Sequence, residues 1–275
     1  MEELSPRIVR TTSLTDFKTS GRKFSCLTSY DALTAGAFDE AGIEVLLVGD
    51  SAADNVLGYS STLPITVDEM IPFGRAVAGA AKRALVVVDM PFGSYETGAE
   101  DALANGIRIM KTTGAGAVKL EGGERSSSAI SALVTAGIPV MGHIGFTPQS
   151  MHALGGFKVQ GRGEGADQLR ADALAVQSAG AFAVVMEMVP AQIASEISKE
   201  LLIPTIGIGA GAGCDGQILV WTDFAGLSGH APRKFVRRYA NLREELQKAF
   251  DEGIDRPTYR RIESFNPDGT ANSEF

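Results

Sequence analysis

The sequence predicts a single (β/α)8 TIM barrel over residues 1–275, and three observations carry that prediction. Eight short apolar runs recur along the chain, and most are followed by a longer stretch with helical periodicity. The runs are mostly continuous in Val, Ile and Leu rather than alternating, as expected of parallel strands covered on both faces. The 275 residues match one large α/β barrel. Eight strand–helix units on that length suit a closed barrel better than an open doubly wound sheet.

In chain order, "TTSLTDFKTSG" reads as an extra helix at about 12–20, with Ser13 as N-cap and Asp16 at the capping-box position, closing the bottom of the barrel. Strands are expected at "KFSCLTSY" (23–30), "EVLLVGD" (44–50), "ALVVVDM" (84–90), "GAVKLEG" (116–122), "PVMGHIG" (139–145), "FAVVMEM" (182–188), "PTIGIG" (204–209) and "QILVWTD" (217–223). Helical stretches between them include "DALTAGAFDEAG", "TVDEMIPFGRAVAGAAKR", "GAEDALANGIRIMKTTG", "SSSAISALVTAG", "GADQLRADALAVQSAG" and "PAQIASEISKEL". Several stop at a glycine, the usual left-handed helix terminator. The segment 145–166, "GFTPQSMHALGGFKVQGRGEGA", is long, glycine-rich and aperiodic. It reads as an active-site lid or as a tolerated surface insertion. Beyond the barrel, 233–253 reads as a charged amphipathic helical region and about 254–275 as a loosely ordered tail.

The seventh link needs separate treatment. "GAGCDG" within 209–220 matches the G-x-G-x-x-G spacing of dinucleotide sites. That fingerprint requires a following helix, whose N-terminus holds the pyrophosphate. Here "QILVWTD" follows and reads as a strand. The glycines are therefore expected to form a turn at the mouth, facing the substrate pocket or the cosubstrate side.

Net charge is −8, with the acids spread along the chain and no basic stripe, which argues against nucleic acid and anionic membrane as partners. Cys26 and Cys214 lie outside any C-x-x-C spacing and read as buried structural thiols. No window has the length of a membrane span, and "MEELSPRIVR" lacks an apolar signal core, so the expected localisation is cytoplasmic.

Four expected strands end in an acid: Asp50 in "LLVGDS", Asp89 in "VVVDM", Glu121 in "VKLEGG" and Glu187 in "VVMEMVP". A fifth carries His143 near its end, in "MGHIG". All strand C-termini of a parallel barrel meet one mouth, where the chemistry resides. Carboxylates on apolar strands are costly unless paired, hydrogen-bonded or metal-bound. A metal plus a base accounts for four on one rim, and oxygen-only ligands favour a hard ion such as Mg2+, with Mn2+ or Co2+ accepting the same set. His143, His152 and His230 form no zinc motif. Lys119 shares a strand face with Glu121, placing it as a fixed cation for an anionic substrate or as an ion-pair partner of a rim acid. Ser51 offers a hydroxyl at a strand-to-loop turn, either for substrate or as turn chemistry. His143 and Tyr30 are kept in supporting positions around the site, and Asp31 doubles as a helix N-cap.

The stretches "TSYDALTAGAFDEAGIEVLLVGDS", "VLGYSSTLPITVDEM", "ALVVVDMPFGSY", "AGAVKLEGG", "GIPVMGHIGFTPQS" and "IPTIGIGAG…CDGQILV" closely resemble the ketopantoate hydroxymethyltransferase family, from about residue 10 to about 250. The resemblance implies a metal-dependent barrel of the phosphoenolpyruvate/pyruvate type. It further implies transfer of a hydroxymethyl group from 5,10-methylenetetrahydrofolate to 3-methyl-2-oxobutanoate, giving 2-dehydropantoate for pantothenate and coenzyme A synthesis. Carried over by motif, Asp50, Asp89 and Glu121 are metal ligands, Ser51, Asp89 and Lys119 touch substrate, and Glu187 is the catalytic base forming a metal-stabilised enolate. One Mg2+ per subunit and a homodecamer are the family's expectation. Departures are "TSYD" for "TAYD", "GDSAADNVLGY" for "GDSLGMVVLGY" and "GFTPQS" for "GLTPQS". They leave every expected ligand in place and bear on loop packing and the folate side. The competing readings are a related metal-dependent carbon–carbon lyase or mutase on a 2-oxo acid, and a non-catalytic metabolite-binding barrel. No cysteine near a strand end supports the first. The intact rim acids argue against the second.

Overall fold

The computed structural model describes residues 8–229 and 233–253. Expectations for the first seven residues, for His230 and for 254–275 lie outside them. Contacts group the chain into two compact units, Met1–Trp221 and Thr222–Phe275.

The first unit opens with α1 (Thr11–Ser20), β1 (Phe24–Thr28), α2 (Ala32–Glu40), β2 (Val45–Val48), α3 (Ala52–Asn55), α4 (Val67–Ala80) and β3 (Leu85–Asp89). It continues through α5 (Ala99–Thr113), β4 (Ala117–Glu121), α6 (Ser127–Thr135), β5 (Val140–Gly145), α7 (Gly165–Ser178), β6 (Ala183–Glu187), α8 (Ala191–Glu200), β7 (Thr205–Ile208) and β8 (Gly216–Leu219). The eight strands pair in sequence order and all in parallel, and β8 closes on β1. All eight expected strands are present.

Strand alternation sorts the apolar residues into two groups. Leu46, Val48, Val86, Val88, Val118, Leu120, Val184 and Met186 belong to the cluster that the surrounding helices cover. Their neighbours Val45, Leu47, Leu85, Val87, Ala117, Met141, Ala183 and Val185 fill the barrel interior. Val9 and Leu14 join this interior cluster, and Val9 N donates to Arg83 O just before β3, so α1 stoppers the N-terminal end as the sequence predicts. The cap of α1 differs from expectation. Arg10 is the N-cap, and Ser13 sits three residues in, its Oγ accepting from Arg10 N at 3.1 Å. The pattern starts earlier because Ser13 reaches back to the cap rather than forming it.

The link from β7 to β8 holds no helix. It must return from the strand C-terminal end to the opposite end in residues 209–215, and it does so flat against α8. A Cβ on Gly211 would lie 2.4 Å from Ala191 Cβ, and one on Gly213 would lie 2.7 Å from Ser195 Cβ. The contacts of these glycines are therefore to α8, in place of the expected face toward the substrate pocket. Asp215, at the end of the link, ties it down by accepting from Lys18 Nζ (2.8 Å) and Thr205 N (2.9 Å).

The eighth strand is shorter than expected. Trp221 N donates to Thr28 Oγ1 at 3.0 Å, and the chain turns into a short helix, α9 (Trp221–Phe224). Within the second unit, the Phe224 and Tyr239 rings stack at 4.9 Å and α10 spans Leu242–Gly253. The helix expected over 233–253 thus begins at residue 242. Arg233 and Arg237, like Lys234 and Arg238, would meet as like charges four apart, which opposes a helix there. Among the described residues no helix is long and apolar enough to cross a membrane.

Candidate active site

The interior-facing parity that gives Leu85 and Val87 continues to Asp89. The same parity runs from Ala117 to Lys119 and Glu121, from Met141 to His143, and from Ala183 and Val185 to Glu187. Each strand is thus apolar at its base and polar at its C-terminal end. Register brings the polar ends together: Asp89 lies opposite Lys119, Glu121 opposite His143, and Gly145 opposite Glu187. The side chains of Asp50, Asp89, Lys119, Glu121, His143 and Glu187 are all buried.

The charges interlock. Lys119 Nζ is 2.9 Å from Asp89 Oδ1, and Asp89 Oδ2 accepts from Asp50 N at 3.0 Å. His143 stands between two carboxylates, Nδ1 at 3.3 Å from Glu121 Oε1 and Nε2 at 3.3 Å from Glu187 Oε2. Burial and the nearby Lys119 charge disfavour its cationic form, but Glu121 and Glu187 outweigh them and raise it to about 9. Lys119 Nζ lies 3.3 Å from His143 Nδ1. Burial likewise opposes the Lys119 ammonium, and Asp89, Glu121 and Asp50 together hold it above its ordinary value. Burial pushes the Asp50 carboxyl well up, reinforced by the charges of Asp89 and Glu121; burial also lifts Asp89 despite Lys119. Glu121 ends below its ordinary value, because His143 and Lys119 outweigh burial.

The sequence-predicted residues therefore meet at one mouth, with different closeness. Asp50, Asp89, Lys119, Glu121, His143 and Glu187 form one connected set. Ser51 and Tyr30 pair with each other beside it, their hydroxyls 2.8 Å apart. Burial, as the largest cause, raises the Tyr30 phenol. Asp31 is the N-cap of α2, accepting from Leu33 N and Thr34 N. His143 occupies the centre of the set, flanked by Glu121 and Glu187.

Two features around Glu187 hold the backbone. Met188, directly after it, has φ 49°, the one positive value at a non-glycine among the described residues. Such a conformation costs about 1–3 kcal/mol and persists only where the surroundings impose it. Here Met188 N donates to Ile208 O and Met188 O accepts from Gln160 N, both at 2.9 Å. A Cβ at Gly145 would sit 2.4 Å from Glu187 O, so only glycine lets β5 approach this closely.

The residues fit a divalent ion that keeps water in its shell. Asp89 Oδ1 and Glu121 Oε1 are buried without a hydrogen bond, answered only by their ion pairs. Four carboxylates face two cations, Lys119 and His143, an acidic excess that a divalent cation would balance. Among the described residues no group of three His, Cys, Asp or Glu side chains is spaced to hold an ion alone. Any ion held here would therefore take water or substrate oxygens beside the carboxylates. A cavity of about 450 Å3 lies beside the cluster, between the loop after β4 and α7, lined by Arg125, Thr147, Ser150, Gln160 and Asp172 among others. The buried charges do not line it.

Sequence reasoning missed Gln149 and Tyr95. Gln149 Nε2 donates to Asp50 Oδ2 (2.8 Å) and Met90 O (3.1 Å), and its backbone N donates to Glu121 Oε2 (3.0 Å). Tyr95 hydroxyl donates to Gln149 Oε1 and accepts from Glu121 N at 3.1 Å. Both lie on irregular loops, where strand parity gives no signal.

A model of the family described as ketopantoate hydroxymethyltransferase matches residues 8–256. A protein of Leifsonia xyli subsp. xyli named 3-methyl-2-oxobutanoate hydroxymethyltransferase is 63% identical over 246 residues, covering 89% of this chain and 88% of its own. Among solved structures, phosphonopyruvate hydrolase in complex with oxalate and Mg++ is similar at a TM-score of 0.60 and 14% identity, over 92% of this chain and 88% of that one. The structure of 2,3-dimethylmalate lyase, titled a PEP mutase/isocitrate lyase superfamily member, is similar at 0.60 and 16% identity, over 95% and 93%. These two structural likenesses bear on the fold alone.

Proposed function

Because the chain belongs to the ketopantoate hydroxymethyltransferase family, we propose that it transfers a hydroxymethyl group from 5,10-methylenetetrahydrofolate to 3-methyl-2-oxobutanoate, giving 2-dehydropantoate. The observation that supports this most is the barrel mouth where interior parity brings together Lys119, His143, Asp89, Glu121 and Glu187, with Asp50 joined to them from the turn after β2.

Asp50, Asp89 and Glu121 would hold a divalent ion, Mg2+ on the chemistry of the ligands, together with water and the 2-oxo acid. When bound, the ion supplies Lewis-acid stabilisation of negative charge on the substrate oxygens. Lys119 and the Ser51 hydroxyl bind and orient the substrate carboxylate. Glu187 takes the C3 proton through Oε1 or Oε2, and the pair of electrons left at C3 adds to the one-carbon unit of the folate. Both carbon–nitrogen bonds of that methylene break in the transfer, one replaced by the new bond to C3 and the other by a bond to a water oxygen, and the C3 proton and a water proton end on the two folate nitrogens. His143, whose Nε2 is ion-paired with Glu187 Oε2 at 3.3 Å, steadies the carboxylate as its charge changes. Asp50 and Glu121 are held in turn by Gln149.

Product analysis with and without the folate tests this reading. The expected result is 2-dehydropantoate only when folate cosubstrate and divalent metal are both present. Turnover of a 2-oxo acid without folate would favour a lyase or mutase instead.

A further inference from the structure

Each of the three carboxylates assigned to metal has one oxygen anchored by a hydrogen bond, and for two of them the donor comes from outside the cluster. Asp89 Oδ2 takes Asp50 N, Asp50 Oδ2 takes Gln149 Nε2, and Glu121 Oε2 takes Gln149 N. The second oxygens of Asp89 and Glu121 carry no hydrogen bond. Two of the three anchors come from one residue, Gln149, in the single turn Pro148–Ser150 that opens the segment after β5.

The hydrogen-bond directions around Gln149 leave one solution. Tyr95 oxygen accepts from Glu121 N, so its proton points at Gln149 Oε1. That leaves the amide nitrogen toward Asp50 Oδ2 and Met90 O, both acceptors. A glutamate here would set a carboxylate against two acceptors and beside Asp50 and Glu121. An alanine would leave a buried carboxylate oxygen without its donor.

The geometry points to Gln149 as the positioning residue of the metal ligands, its side chain aiming Asp50 and its backbone aiming Glu121, with Tyr95 locking the amide orientation. This rests on the assignment of Asp50 and Glu121 as ligands. Partners of this kind are worth about 10–100-fold in metal affinity.

The test is binding of Mn2+ alone, read from the electron paramagnetic resonance signal of free and bound ion, on the full-length protein. The parent, Asp50→Ala, Gln149→Ala, Gln149→Glu, Tyr95→Phe and the Gln149→Ala/Tyr95→Phe double variant are compared. Asp50→Ala should abolish tight binding. Gln149→Ala and Gln149→Glu should weaken it about 10–100-fold and alter the bound-ion spectrum, with unchanged near-UV circular dichroism. Tyr95→Phe should weaken it by a smaller factor, and the double variant should fall short of the product of the two single effects, because the hydroxyl acts partly through the amide it shares with Gln149 and partly through Glu121 N. If Asp50→Ala abolishes binding while the Gln149 and Tyr95 variants stay within about twofold of the parent, the positioning role is overturned and the ligand assignment stands. If Asp50→Ala binds as the parent does, the ligand assignment falls and the positioning role with it. Should the Gln149 variants fail to fold, Tyr95→Phe decides: weakening above twofold with an altered spectrum supports the role, and parent-like binding overturns it.

Discussion

Lys119 and His143 are the two cations of a cluster that otherwise holds carboxylates, and each is fixed by acids from other strands. Removing one partner of such a buried set leaves an uncompensated charge, at a cost of about 3–5 kcal/mol. Lys119→Met should therefore lower stability by that order as well as weaken substrate binding; calorimetry beside a substrate titration separates the two effects. His143 carries a pH prediction for metal-free protein. Its cationic form is favoured in the fold, rising from 6.5 to about 9, so its contribution is complete below pH 6.5 and is lost as pH climbs through 9. That contribution is on the order of 3 kcal/mol. Urea unfolding after chelation, at pH 6 and pH 9.5, should show the fall, and His143→Gln should flatten it. Every charged member of the cluster was legible as a residue at a strand end. The centrality of His143 was not, because a single histidine in an apolar strand does not announce which acids flank it. Gln149 was quoted within a motif but given no part, since an uncharged amide in a loop acquires meaning only from the three strand ends it spans.

Among the elements, the link between β7 and β8 shows how a motif can match while its use differs. "GAGCDG" has dinucleotide spacing, yet the structure uses Gly211 and Gly213 to lay a helix-free crossover against Ala191 and Ser195 of α8. Gly213→Val should lower stability by about 1–3 kcal/mol through overpacking, with a fall in melting temperature as the readout, and the parent should show no affinity for a dinucleotide. Strand positions were legible because buried parallel strands are continuous apolar runs. Helix boundaries were less so. Ser13 supplies its cap contact from inside α1 rather than before it, and four basic residues delay α10 to Leu242. Such details depend on which of several polar side chains wins a backbone donor, which periodicity does not rank.

For the barrel as a whole, alternation divides one set of strands into a helix-covered layer, an interior apolar stack and a charged mouth. Leu14 of α1 is fully buried at the foot of that stack, and Leu14→Ala should cost about 2–5 kcal/mol while leaving the identity of the product unchanged. The fold was legible from eight recurring runs, and the mouth from the acids that end them. Which carboxylate serves as base is the central claim, and exchange of the substrate C3 proton tests it most directly. Metal-loaded protein given 3-methyl-2-oxobutanoate in deuterated water, without folate, should incorporate deuterium at C3. Glu187→Gln should still bind metal and the 2-oxo acid while losing that exchange by about 100-fold or more; exchange at the parent rate in Glu187→Gln would contradict the account.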